Sequence, residues 1–198
     1  GQPLVECVGI TKRFGSVEAL RNVDFNLLSG EVHALLGQNG AGKSTLIKVL
    51  CGVNPKDGGR ITVGGEDSEL RTPAAAREQG IAVVYQELSL VPSLSVAANV
   101  FLGREPRNWV GLVRQRQILR ETRTFLEEHE FDLDPTALVE DLPFAYRQMT
   151  EIAKALIGRV NILVLDEPTS SLSADEQQIL FSSIAEVTRR GVGVIYVT

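Results

Sequence analysis

One run, Gly37-Gln38-Asn39-Gly40-Ala41-Gly42-Lys43-Ser44-Thr45, constrains this chain more than any other stretch. It fits the phosphate-loop pattern G-x-x-x-x-G-K-[ST], and its flanks fit the same pattern. Val32 to Leu36 is a short apolar run that predicts a buried strand. Thr45 to Leu50 is apolar at helical spacing and is stopped by Gly52. Gly37, Gly40 and Gly42 let the backbone come close to a ligand, so that successive N–H groups form an anion nest beside a helix start. Lys43 then reaches the outer phosphates as a point charge, and Ser44 offers its hydroxyl to a magnesium ion. The expected ligand is a nucleoside triphosphate; the plainer reading is a glycine-rich turn with an incidental lysine.

The rest of the chain narrows the setting. With 198 residues there is room for one domain and a small appended subdomain. No apolar stretch is long enough to cross a bilayer and no signal-peptide pattern opens the chain, so any membrane role is expected through a partner. A net charge of −5 argues against a broad nucleic-acid footprint. Cys7 and Cys51 sit in apolar segments without metal or redox spacing and read as small buried hydrophobes. His33 and His129 have no clustered partners and read as a core-strand and a helix-surface residue.

Leu4–Phe14 and Val17–Leu28 alternate around Gly15-Ser16 and predict an antiparallel pair. Phe14, beside that turn, is either a stacking platform for a base or a packed edge-strand residue. Gly59–Val63 and Ile81–Tyr85 read as strands, and Thr72-Pro73 as a capped helix start. From Glu87 to about Leu142 strand signals vanish, and 95–102 and 114–130 are helical in pattern. A helix is expected over Gln148–Ile157, a buried strand over Asn161–Leu165, a helix over Ala174–Arg190 capped by Ser171 or Ser173, and a strand over Val192–Val197. The expected organisation is a nucleotide-binding core with a β-subdomain over about 1–86 and 147–198. A helical subdomain is inserted over about 87–146.

A second chemical signal follows the buried strand. Asp166-Glu167 brings two adjacent carboxylates to a strand's carboxyl end, where open α/β sheets place ligands. Asp166 is expected to hold magnesium, and Glu167 to orient and deprotonate the attacking water. Gln86 also closes a strand; it is either a metal-contacting sensor of the γ-phosphate or an ordinary polar strand end.

Together these residues resemble the ATP-binding cassette (ABC) family over essentially the whole chain. The resemblance implies an α/β fold: a P-loop NTPase core of RecA-like, mixed or parallel sheet, with an N-terminal antiparallel β-subdomain and an inserted α-helical subdomain. It puts Phe14 at the adenine-stacking position, Gly37 to Thr45 in the phosphate loop, and Gln86 in the glutamine loop, where it would serve in catalysis and as a metal contact. It puts Ile162 to Glu167 in the magnesium-and-base strand, and 171–175 in a dimer-contact loop. The runs 86–90, 99–106 and 148–156 are similar to the tandem-cassette ATPases of bacterial monosaccharide importers. That likeness implies ATP and Mg2+ as cofactors and hydrolysis coupled to transport. It also implies the cytoplasmic face of the bacterial cell membrane, reached without a transmembrane segment. The implied partners are a second ATP-binding cassette, transmembrane permease subunits and, indirectly, a periplasmic or extracellular sugar-binding protein. No nucleic acid is implied.

Two departures stand out. The signature Leu-Ser-Gly-Gly-Gln is replaced by Leu142-Pro143-Phe144-Ala145-Tyr146, which weakens the site on an opposing cassette and leaves this chain's own loop intact. The family's switch histidine would follow Thr198, so the chain reads as a truncated N-terminal cassette that binds nucleotide better than it hydrolyses it. A soluble ABC ATPase of translation or chromosome maintenance is the alternative; a nucleotide kinase or GTPase lacks the Gln86 region and the helical insertion.

Overall fold

The computed structural model describes residues 2–38, 40–168 and 172–198. They form two compact units. The first takes the chain up to Val83, Arg159–Glu167 and Thr188–Thr198. The second takes Val84–Gly158 and Pro168–Val187.

The first unit carries two sheets. Strands β1 (Val5–Phe14), β2 (Val17–Leu27), β4 (Gly58–Val63) and β5 (Glu66–Asp67) form an antiparallel sheet in the order β2-β1-β4-β5. Strands β3 (Val32–Leu35), β6 (Ile81–Val84), β7 (Ile162–Asp166) and β8 (Gly193–Val197) form the other, in the order β3-β8-β7-β6, with parallel pairing of β8 to β3 and to β7. Helix α1 (Lys43–Leu50) buries Leu46, Ile47, Val49 and Leu50 in one apolar cluster with Val5, Ile10 and Leu27 of the first sheet and Ile162, Val164 and Ile195 of the second. A short helix, α2 (Pro73–Glu78), starts at Thr72, whose hydroxyl accepts the Ala75 N–H at 3.1 Å.

The expected antiparallel pair forms as β1 and β2, with one irregularity, while one other strand expectation needs correcting. The alternation of β1 slips between Cys7 and Ile10, where the ladder bulges. Gly9 there has φ +62, and its N–H donates to the Asp24 carboxylate at 2.7 Å. The run at 32–36 is not a buried strand: β3 lies at the sheet edge and Val32 is 48% exposed. An apolar run fits an edge as well as an interior, because pairing on one side leaves the other open. Cys7 and Cys51 are buried free thiols, both pushed up to about 12, mainly by burial.

Gly52 ends α1 with φ +70, and a Cβ there would fall on the Thr72 backbone carbonyl. Gly52→Ala combines left-handed strain with a backbone clash. It is expected to destabilise the fold by about 2–4 kcal/mol in urea titration. A loss under about 0.5 kcal/mol would mean that the Thr72 segment gives way without penalty.

The second unit is helical. Helices α3 (Val96–Val100), α4 (Gln115–Glu128) and α5 (Phe144–Leu156) belong to it with most of α6 (Ala174–Arg189). Helix α5 begins four residues earlier than the sequence pattern suggested and clusters with this unit, where the sequence reading had assigned it to the core. Pro143 occupies its N-cap, where a missing N–H does no harm. Of the two candidate caps for α6, Ser173 serves. Its hydroxyl accepts the Glu176 N–H at 3.4 Å, while the Glu176 carboxylate accepts the Ser173 N–H at 3.0 Å, a reciprocal capping box. Ser171 lies outside the described residues.

Of the three runs that carry the sugar-importer resemblance, the one at 148–156 is hydrogen-bonded to each of the other two. Ser89 donates to the Glu151 carboxylate at 2.5 Å, and Lys154 donates to the Ser89 hydroxyl at 2.7 Å and its carbonyl at 2.9 Å. Arg104 reaches the end of α5, donating to the Ile157 and Lys154 carbonyls at 2.6 and 2.8 Å. The fully buried Asn99 amide holds the Val91 backbone on both sides, accepting its N–H at 2.7 Å and donating to its carbonyl at 3.0 Å.

Candidate functional site

The turn from β3 into α1 is built on two glycines in left-handed conformation, Gly40 at φ +86 and Gly42 at φ +93. Gly42 is also the position where the loop meets the antiparallel sheet: a Cβ would stand 2.8 Å from the Ala19 carbonyl oxygen. Among the described residues no side chain caps α1, and no acidic residue lies in its first turn. Its leading N–H groups therefore face outward with the positive end of the helix dipole, an arrangement that favours an anion.

Lys43, the first residue of α1, folds back so that its ammonium donates to the Gly37 carbonyl and, at 3.4 Å, to the Gln38 carbonyl. The charge is thus held over the loop. A cavity of about 130 Å³ opens there, lined by Gln38, Gly40 to Thr45, Ala19, Val197 and Glu167. Of the residues expected from the sequence, Gln38, Gly40 to Thr45 and Glu167 line this cavity; Gly37 does not. Sequence reasoning does not name Ala19 or Val197.

Glu167 follows β7 in a left-handed conformation, φ +46, and its N–H donates to the Val197 carbonyl at 3.1 Å. A non-glycine residue held there turns its side chain away from the course of the strand. Asp166 is half-buried at the strand end. Burial first, and then the Glu167 charge, push its carboxyl above the ordinary range, against the pull of Lys48 and Lys43. Asp166 thus lies within electrostatic reach of Glu167 and of the Lys48 and Lys43 ammonium groups. Among the described residues no group of three or more His, Cys, Asp or Glu could hold a metal by itself.

Phe14 ends β1 and is 47% exposed, with the Lys12 ammonium 5.7 Å from its ring centre. It is not a packed edge residue, and it does not line the cavity. Lys12 is fixed in turn by the Pro55 carbonyl at 2.6 Å and the Asp57 carboxylate at 2.8 Å. Gln86 is exposed and belongs to the second unit, whereas the loop belongs to the first. Asn39 lies outside the described residues.

A family model described as ABC transporter matches residues 20–170. The chain belongs to the ABC transporter family. A ribose import ATP-binding protein of Rubrobacter xylanophilus is 51% identical over 197 residues, covering 100% of this chain and 39% of that protein. A protein of the same description from Rhodopirellula baltica is 45% identical over 193 residues, 98% of this chain and 38% of its own length. The chain thus spans well under half the length of these curated relatives. The crystal structure of a nucleotide-free ATP-binding cassette from an ABC transporter superposes with a TM-score of 0.85 at 22% identity, over 99% of this chain and 81% of the other. The α/β cassette architecture is therefore shared.

Within this ABC transporter chain, the segment at the signature position opens α5. Pro143 supplies no N–H, Ala145 is fully buried, and Phe144 remains partly exposed. Arg147 donates to the Leu142 and Glu140 carbonyls at 2.8 and 2.9 Å, tying the segment down. The Ser173 N–H and hydroxyl hold the Glu176 carboxyl below its ordinary range, with a further contribution from the Ala145 N–H.

Proposed function

We propose that the chain is an ATP-binding and hydrolysing cassette that powers sugar import through a bacterial ABC transporter, by ATP-driven closure on a second cassette. The observation that carries the reading is the convergence of the uncapped α1 start, Lys43 and Glu167 on one cavity. Gly37 to Thr45 hold the phosphates through backbone N–H groups, and Lys43 supplies the compensating charge. Glu167 accepts a proton from the attacking water. Ser44 and Asp166 are oxygen donors of the right hardness to hold magnesium, which when bound would supply neutralisation of charge developing on the phosphates. Phe14 is assigned to the adenine, and Gln86 to sensing the γ-phosphate as a further metal contact.

The sugar-import reading is supported by relatives described as ribose import ATP-binding proteins. The partner cassette is assigned to the same full-length polypeptide, and the membrane partners are permease subunits served by an external sugar-binding protein. The subunit then works peripherally on the cytoplasmic face; among the described residues no helix is long and apolar enough to cross a membrane. Pro143 and Ala145 weaken the phosphate site that this cassette offers its partner, so the two sites of the closed pair differ. The soluble-ATPase alternative has no comparable support.

The deciding experiment places full-length protein with its permease in vesicles. Magnesium-dependent ATP turnover is expected to rise when sugar-loaded binding protein is added. Turnover indifferent to permease and binding protein would instead indicate a soluble ATPase.

A further inference from the structure

The most exposed apolar feature is a hairpin between α3 and α4. Arg107 and Val113 pair across it, the Asn108 N–H donates to the Leu112 carbonyl at 2.9 Å, and the Arg114 N–H donates to the Pro106 carbonyl at 2.8 Å. The Asn108 side chain accepts the Val110 and Leu112 N–H groups at 3.1 and 2.9 Å, so the tip is ordered from within. On that tip Trp109 is 93% exposed, Leu112 66% and Val110 54%. Single exposed apolar residues are ordinary, but three on one hydrogen-bonded tip make a wedge.

The flanks are basic. Residues 104–120 hold five arginines and one acidic residue, in a chain whose net charge is −5. Arg104 is turned inward onto α5, but Arg107, Arg114 and Arg116 are exposed on both sides of the wedge. At physiological salt charges act over about 8 Å, so this patch governs what the tip meets, and the distant acidic residues do not.

We propose that this tip enters the interfacial layer of an anionic lipid bilayer, with Trp109, Val110 and Leu112 as the wedge and Arg107, Arg114 and Arg116 on the headgroups. Tryptophan is favoured at that depth, basic residues are drawn to anionic lipid, and stable attachment takes both signals together. A pocket on a protein partner would accept the tryptophan but gives no reason for arginines on both flanks. The contact adds direct lipid binding to a membrane role that the sequence reading routed only through partners, and it is independent of the nucleotide site.

The test uses full-length protein without nucleotide, and vesicles of phosphatidylcholine alone or mixed with phosphatidylglycerol. Trp109 is the single tryptophan of this chain, so the difference emission between the protein and Trp109→Phe reports on it alone. Phosphatidylglycerol is expected to shift that emission to shorter wavelength and to carry the protein down with the vesicles. The pair Trp109→Ser and Leu112→Ser is expected to weaken co-sedimentation by about tenfold or more, with the circular dichroism of the fold unchanged. Arg107→Gln with Arg114→Gln and Arg116→Gln is expected to abolish the preference for phosphatidylglycerol. No emission shift, equal binding to both vesicles, or indifference to the serine pair overturns the proposal. So does a Trp109 that stays quenchable on vesicles but is protected in the detergent-solubilised transporter, which would assign the tip to a protein partner.

Discussion

Lys43→Ala is expected to weaken ATP binding by roughly 30- to 1000-fold, about 2–4 kcal/mol, when the nucleotide is titrated by calorimetry. The ammonium is the positive side-chain charge of the loop, and the Gly37 and Gln38 carbonyls hold it there with a donor to spare. A phosphate brought into the cavity without it meets Glu167 on the lining and Asp166 nearby with less compensation. Alanine is the best helix former and Lys43 opens α1, so the helix survives the change and the loss reports on charge. A change under about threefold would place the phosphates elsewhere.

Glu167→Gln is expected to leave ATP binding within about threefold of the unaltered protein, and to lower turnover by about 10²–10⁴-fold in a steady-state phosphate-release assay. Glutamine keeps the length of the side chain and the same tolerance for φ +46, so the cavity wall keeps its shape. What disappears is a group able to take a proton. A fall of less than tenfold would assign the base to another residue. If binding fails together with turnover, the carboxylate is shaping the pocket and has no role in proton transfer.

Much of the core was legible because its signals are local. Gly15-Ser16 sits between two alternating runs, and those runs pair as β1 and β2. The loop residues are fixed by spacing alone, and Asp166-Glu167 by following a continuous apolar strand. The bulge at Gly9 is not legible, since the left-handed Asn22 beside it, φ +49 within β2, is found only once the strands are paired. Ala19 and Val197 arrive at the cavity by tertiary approach and carry no side-chain chemistry to announce them. Lys48 was within reach of sequence reasoning, standing one helical turn beyond Ser44 on α1. Pro143 marks the start of α5, but the apolar pattern by itself places that start four residues later, at Gln148. The Ser89–Glu151–Lys154 contact joins residues more than sixty positions apart, and no periodicity reports such a pairing.

The bond from the Glu167 N–H to the Val197 carbonyl ties the ends of two neighbouring parallel strands. The backbone of Glu167 is turned into the left-handed region at this tie, so the bond to Val197 helps set the direction in which its side chain leaves the strand end. Val197 is also paired with Leu35 at the end of β3, the strand that leads into the phosphate loop, so a movement of β8 reaches the proposed base and the loop together. One strand end thus ties the proposed proton acceptor to the proposed phosphate cradle, so a change at Val197 is expected to alter turnover and nucleotide grip together.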